Sequence, residues 1–297
     1  MHILVTGGTG LIGRALVSRL DHHQVTVLTR SPENAQKILP SDVRFIRDLD
    51  ELSDFNDVDA VINLAGEPIV DKRWSEQQKG IICSSRWGIT EKLVKRIQSA
   101  DTPPHTFISG SAVGYYSDQG DTIVDESLKV DSTDFAHAVC ANWEKIAKRA
   151  QSDNTRVCLL RTGIVLSKEG GALKKMLLPY QLGLGGPIGD GSQYFPWIHI
   201  NDMVSGILFL LNNEKTQGPF NLTAPNPATN KAFSKTLAAT LKRPHLLFTP
   251  KFVITLMLGE AGQLLLEGQR AVPRALEDNG FTFDFPDLPS ALEDLLR

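Results

Sequence analysis

Short apolar runs alternate with longer amphipathic stretches along most of this chain. Runs at residues 3–5, 25–29, 43–46, 60–65, 106–109 and 157–160 are rich in Val, Ile and Leu and read as buried strands. Residues 161–166 continue the last of them, and residues 220–222 form a further short run. Between the runs lie helical patterns, the longest at 79–98 and 136–150. Past a Pro-rich linker at 224–227 the chain turns helical, with helices expected at 230–241, 250–266 and from Leu288 onward. Strands alternating with helices predict an α/β fold, a Rossmann-type doubly wound parallel sheet covered on both faces. In that architecture ligands sit beyond the carboxyl ends of the strands, so strand-end residues are the candidates for chemistry.

The first strand runs straight into Thr6-Gly7-Gly8-Thr9-Gly10-Leu11-Ile12-Gly13 and then an amphipathic helix. Glycines at 7, 10 and 13 let the backbone turn sharply and lie close to a pyrophosphate. Alone the spacing is only a tight turn; between a strand and a helix it is a dinucleotide site. Gly7, Thr9, Gly10, Leu11, Ile12 and Gly13 are the expected cofactor contacts. The second strand ends Thr29-Arg30-Ser31, where an NAD enzyme would carry an acid for the ribose hydroxyls. Arg30 instead suits a 2′-phosphate, with Thr29 adding a hydroxyl, so the cofactor expected is NADP. The strand end Asn63-Leu64-Ala65-Gly66 is either a close approach to adenine or ribose by Leu64, Ala65 and Gly66, or a plain tight turn. Arg86, among small polar residues on the long helix, either reaches a phosphate or pairs at the surface.

Composition narrows the class. With 297 residues, 41% of them hydrophobic, and a net charge of -3, the chain suits a globular protein with a sizeable core and excludes fibre and disorder. The near-neutral balance argues against a nucleic-acid partner. Without a run of about eighteen apolar residues, no membrane partner is expected and the protein reads as soluble and cytoplasmic. Three widely spaced cysteines, Cys83, Cys140 and Cys158, give neither a disulfide framework nor a metal knuckle.

The glycine turn, the Asn63–Gly66 strand end, Ser109-Gly110-Ser111-Ala112-Val113-Gly114-Tyr115 and the run from Gly189 to Asp202 together resemble the extended short-chain dehydrogenases/reductases. Leu182 to Gly189 with Trp197-Ile198-His199-Ile200 is more similar to the atypical SDR39U1 (YfcH-like) epimerase branch. The resemblance covers essentially the whole chain. It implies an NADP-binding Rossmann domain at 1–166 and 193–224, and a smaller substrate-binding lobe at 167–192 and 225–297 whose glycine-rich lip covers a cleft. It implies a small-molecule substrate, with Gln193, Tyr194 and Trp197 able to face it, and hydride transfer assisted by a Tyr-x-x-x-Lys pair in which lysine lowers the tyrosine pKa. Counting back from Glu144 places those slots at Ala136 and Cys140, so both catalytic groups are missing. Ser111 matches the serine that bonds the substrate oxygen. Tyr115 is the candidate replacement acid, with Tyr116 and His137 as further options. Arg161 is expected near the nicotinamide ribose or a substrate phosphate, and Asp202 is expected to cap the helix that follows it.

The apolar stretch from Phe252 to Leu266 reads as lobe core, or alternatively as the face of a homodimer. The functional expectation is an NADP-dependent oxidoreductase or epimerase on a small hydroxylated, sugar-like substrate. The alternative is a redox-sensing NADP(H)-binding protein, which has no need of the Tyr-Lys pair.

Overall fold

A computed structural model describes all residues from Met1 to Arg297. Seven parallel strands form the central sheet: β1 (His2–Thr6), β2 (Gln24–Leu28), β3 (Arg44–Ile46), β4 (Ala60–Asn63), β5 (Thr106–Ala112), β6 (Arg156–Thr162) and β7 (Gly218–Leu222). Their spatial order is β7-β6-β5-β4-β1-β2-β3. This is the expected doubly wound sheet, and its direction of winding reverses between β1 and β4.

Strand alternation divides the core into two layers. Ile3, Val5, Val27 and Ile62 face α1 (Leu11–Val17) and α5 (Ile200–Asn212), while Leu4, Val61 and Phe107 face α2 (Glu76–Gln98) and α3 (Phe135–Ala147). Each such fully buried apolar side chain contributes about 1.5–3 kcal/mol. Caps set the two long helices. Ser75 accepts from the Gln78 amide at 3.2 Å, so α2 starts three residues before the expected Lys79; Asp134 accepts from the His137 amide at 2.7 Å and starts α3.

The run at 161–166 does not continue as one strand. At Gly163 the chain crosses Pro196 so closely that a Cβ would lie 2.2 Å from the Pro196 carbonyl oxygen. Residues Ile164–Leu166 leave the main sheet and pair with Trp197–His199. They lead into α4 (Gly171–Gln181), α6 (Asn230–Thr240) and α8 (Leu288–Leu296), which pack around Leu173, Phe195, Trp197, Phe233, Leu237 and Leu292. Part of the expected lobe also reaches the main domain. Leu276, Phe281 and Phe283 join the α1 and α5 layer, and Asp202 accepts from the Asp284 and Phe285 amides at 2.9 and 3.0 Å.

Asp202 is therefore not the cap of α5. His199 holds that position, its Nδ1 accepting from the Asn201 amide at 3.0 Å, while the carboxylate three residues on ties down the C-terminal segment. The expected helix at 250–266 is also divided, because Gly259 takes φ +60 and ends α7 (Lys251–Leu258).

Candidate active site

At the β1–β4 reversal, the glycine turn and the Leu64–Ala65 backbone are in contact. A Cβ on Gly7, which has φ +70, would lie 2.6 Å from the Leu64 carbonyl; one on Gly13 would lie 2.2 Å from the Gly7 oxygen. Only glycine fits either place, and the turn closes with the Gly10 amide donating to the Gly7 carbonyl at 3.0 Å. Thr9 and Gly10 are exposed at the crest, Leu11 and Ile12 are half-buried behind it, and Leu11 carries the Gly170–Gly171 bend of the lobe on its side chain. The end of β4 is fixed from within. Thr6 Oγ1 donates to Asn63 Oδ1 at 2.6 Å, and the Ala65 amide donates to Thr6 Oγ1 at 3.3 Å. Asn63 Nδ2 and Trp143 Nε1 each donate to Thr90 Oγ1 at 2.8 Å, which joins α2 and α3 to the same strap.

At the end of β2, Thr29 is half-buried and Arg30 is exposed without an ion pair. Arg86, on α2, has its guanidinium under Gly66, whose Cβ would be 3.0 Å from Arg86 Cζ, and over the Trp143 ring at 5.4 Å. It donates to the Ile82 carbonyl at 3.2 Å, and burial pulls its pKa below the ordinary guanidinium value. It is a half-buried cation paired with no carboxylate.

The β5–α3 side holds the residues expected to do chemistry. Ser111 is 5% exposed and its Oγ donates to Glu144 Oε1 at 2.8 Å. Arg161 grips the same carboxylate from the neighbouring strand, Nε to Oε1 at 2.8 Å and Nη2 to Oε2 at 3.0 Å. Its Nη1 donates to the Tyr116 hydroxyl at 3.0 Å, which donates onward to Asn221 Oδ1 at 2.8 Å. The hydrogen bonds of Arg161 thus run to protein groups, in a buried chain Ser111–Glu144–Arg161–Tyr116–Asn221. Burial pulls the Arg161 pKa down, and the bonds and charge of Glu144 more than offset this, leaving the guanidinium above its ordinary value. Burial pushes the Tyr116 phenol up to about 12 against the opposing pull of Arg161, so Tyr116 is no base near neutrality.

Tyr115 stacks its ring on Arg161, with Cζ 3.6 Å from the ring centroid, and its carbonyl accepts from His137 Nδ1 at 2.6 Å. That bond commits His137 to structure. The positions expected for the Tyr-Lys pair face Gly114, where a Cβ would lie 3.3 Å from Ala136 Cβ and 3.9 Å from Cys140 Sγ. Burial, then the Glu144 charge, push the Cys140 thiol up to about 12, which leaves it a neutral filler.

Glu144 is the site residue that sequence reasoning used only to set the helix register. A signal was present, since an arginine on an apolar strand requires an anionic partner and α3 must lay one face against that strand.

The model of the NAD dependent epimerase/dehydratase family matches residues 3–223, and a domain of unknown function, DUF1731, matches 249–295. An epimerase family protein of Staphylococcus haemolyticus is 39% identical over 295 residues, covering 99% of this chain and 98% of its own. The crystal structure of human epimerase family protein SDR39U1 (isoform 2) with NADPH superposes with a TM-score of 0.91 at 37% identity, covering 99% of both chains. A nucleoside-diphosphate sugar epimerase from Corynebacterium glutamicum superposes at 0.78 with 32% identity, covering all of this chain and 58% of the other. With the glycine cradle at the sheet reversal and the Ser111 strand end in place, the chain belongs to the NAD dependent epimerase/dehydratase family, in its SDR39U1-like branch.

Proposed function

We propose that this protein is an NADP-dependent oxidoreductase or epimerase acting on a small hydroxylated substrate of the nucleotide-sugar type, with Ser111 and Glu144 in place of the missing Tyr-Lys pair. The observation that carries this reading is the 2.8 Å bond from Ser111 Oγ to a carboxylate clamped on both oxygens by Arg161. The likeness to SDR39U1 with NADPH supports the cofactor, and the nucleoside-diphosphate sugar epimerase supports the substrate class.

The glycine cradle fits a dinucleotide, since any side chain at Gly7 or Gly13 would fill the space by which the turn closes on β4. Gly7, Thr9, Gly10, Leu11, Ile12 and Gly13 would hold the pyrophosphate, Leu64, Ala65 and Gly66 the adenosine side, and Thr29 and Arg30 the 2′-phosphate. Arg86 would meet a phosphate or ribose oxygen from beneath Gly66. NADP supplies the acceptor or donor of hydride.

Because Ser111 donates to Glu144, its oxygen lone pairs are acceptors toward the substrate. A substrate hydroxyl proton passes to Ser111 Oγ as Ser111 releases its own to Glu144 Oε1; reduction runs the same path backward. Arg161 acts through Glu144 rather than on the cofactor, holding the carboxylate in one orientation. Tyr115, fixed by Arg161 and His137, offers its hydroxyl as a second donor to the substrate oxygen.

The test follows nicotinamide absorbance with NADPH or NADP⁺ against a panel of nucleoside-diphosphate sugars. Ser111→Ala should lower turnover by about 10²–10⁴-fold with NADPH binding intact. Arg30→Ala should weaken NADPH binding at least tenfold, in line with loss of about 1.5–3 kcal/mol from charged hydrogen bonds, and leave NADH binding unchanged. Equal loss for both nucleotides removes Arg30 from the 2′-phosphate.

Ala136 and Cys140 support a second reading, a non-catalytic NADP(H) redox sensor, since no titratable group near neutrality occupies those slots. Tight NADPH binding with no redox change across the panel selects it.

A further inference from the structure

The helix α7, expected to pack into the lobe core or to form a homodimer face, buries only Ile254. Phe252 and Leu256, one turn apart, are each 70% exposed, and Leu246 just before the helix is 86% exposed. Leu182 and Leu184, in the lip, are 65% and 60% exposed. The two segments run side by side: the Thr249 amide donates to the Pro187 carbonyl and the Gly189 amide to the Thr249 carbonyl, both at 2.8 Å. The same segments meet again where Gly183 faces Pro244 and Gly186 faces Leu247 and Phe248, so Leu182, Leu184 and Leu246 lie along one seam, with Phe252 and Leu256 on the helix that follows it. Exposed apolar side chains gathered on neighbouring segments mark an interaction surface where scattered leucines do not.

Charge identifies what covers it. The whole chain carries a net charge of -3, yet residues 226–258 contain Lys231, Lys235, Lys242, Arg243 and Lys251 and no Asp or Glu; the neighbouring carboxylates are Asp190, beside Lys251, and Glu260, which Lys79 pairs. All five cations are exposed. A second copy on a two-fold axis would set this cationic face against itself. A protein partner would have to supply fitted pockets for side chains that stand free in solvent. An anionic lipid surface satisfies both features without shape complementarity: headgroups take the cations, and the acyl boundary takes Phe252, Leu256 and Leu246.

We propose that this face of the small lobe docks peripherally on anionic lipid. The protein lies on the surface and does not span it, since no helix is long and apolar enough to cross a membrane. Such docking departs from the expectation of no membrane partner, which rested on the lack of a spanning run. Arg73 Nε donates to the Met257 carbonyl at 3.0 Å, and Lys79 pairs with Glu260 at 2.7 Å. These contacts hold α7 to the nucleotide-binding domain, so docking would set the orientation of the whole molecule at the surface.

Co-sedimentation of the full-length protein with vesicles tests this, using pure phosphatidylcholine and phosphatidylcholine mixed with phosphatidylglycerol. The protein should pellet with the mixed vesicles, stay in solution with the neutral ones, and be released by high salt. Phe252→Ser/Leu256→Ser should weaken binding at least tenfold. Lys242→Glu/Arg243→Glu should weaken it on the order of fivefold or more per cation. NADPH binding, retained in both variants, confirms that they are folded. Equal pelleting with neutral vesicles, or pelleting of the variants like the parent, overturns the proposal. So does absence from both pellets, whether sedimentation velocity then finds a second copy on this face or an acidic protein proves to cover it.

Discussion

Glu144→Leu is expected to destabilise the protein by about 3–5 kcal/mol, because it leaves the Arg161 guanidinium buried without its counter-ion. Arg161 is 3% exposed and Glu144 1%. Neither charge can recover its hydration in the fold, and Lys148, whose Nζ lies 3.7 Å from Glu144 Oε2, is half in solvent and linked only to the lost carboxylate. Arg161→Met alone should cost a similar amount, through the orphaned carboxylate. The double variant should recover most of the loss, since replacing a buried ion pair with apolar side chains of like volume is near neutral. Urea unfolding of the four proteins closes the cycle. If each single substitution cost under about 1 kcal/mol, the pair would be hydrated and the clamp on Glu144 would be lost as a basis for chemistry. The cycle also separates structure from function: the double variant should stand near parent stability and turn over no substrate, having lost the acceptor for the Ser111 proton.

The parts of the molecule legible in the sequence are those encoded over short spans. The sheet follows from apolar runs a few residues long, and the close glycine turn follows from glycines three apart between a strand and a helix. That Ala136 and Cys140 share one helix face is legible too, as helix register needs one fixed point. Features that depend on distant partners are not. The break at Gly163 arises because Pro196 crosses there, and nothing near residue 163 announces it. The chain from Ser111 to Asn221 joins residues of three strands, a helix and a turn, so Arg161 showed only that it needed a partner. Helix α4 was hidden because Gly170 and Gly171 read as breaks in regular structure. Yet Gly171 takes φ +68 at its entry, and Pro179 sits in its last turn, where its carbonyl accepts the Leu184 amide at 2.9 Å. Apolar residues 252–258 gave the same signal a buried helix gives, and composition alone cannot say that most of that face looks outward.

Gly13→Ala should abolish useful NADPH binding, with at least a hundredfold loss of affinity, although it adds one methyl group. That methyl would sit 2.2 Å from the Gly7 carbonyl oxygen and 2.7 Å from Gly8 Cα. Both are backbone atoms, so no side chain can swing aside and the turn itself must open. Opening it separates Gly7 from the Leu64–Ala65 backbone and spoils the alignment of amides on which pyrophosphate binding depends. The strain should also lower stability by about 1–3 kcal/mol. Gly80→Ala is the matching control. Gly80 is exposed in α2 with nothing within 4 Å of its would-be Cβ, so alanine there should stabilise the fold by about 0.5–1 kcal/mol and leave NADPH affinity unchanged. Fluorescence titration with NADPH and thermal unfolding of both variants decide the matter. Wild-type NADPH affinity in Gly13→Ala would show that the cofactor does not rest on this turn, and the contacts assigned from Gly7 to Gly13 would fall together.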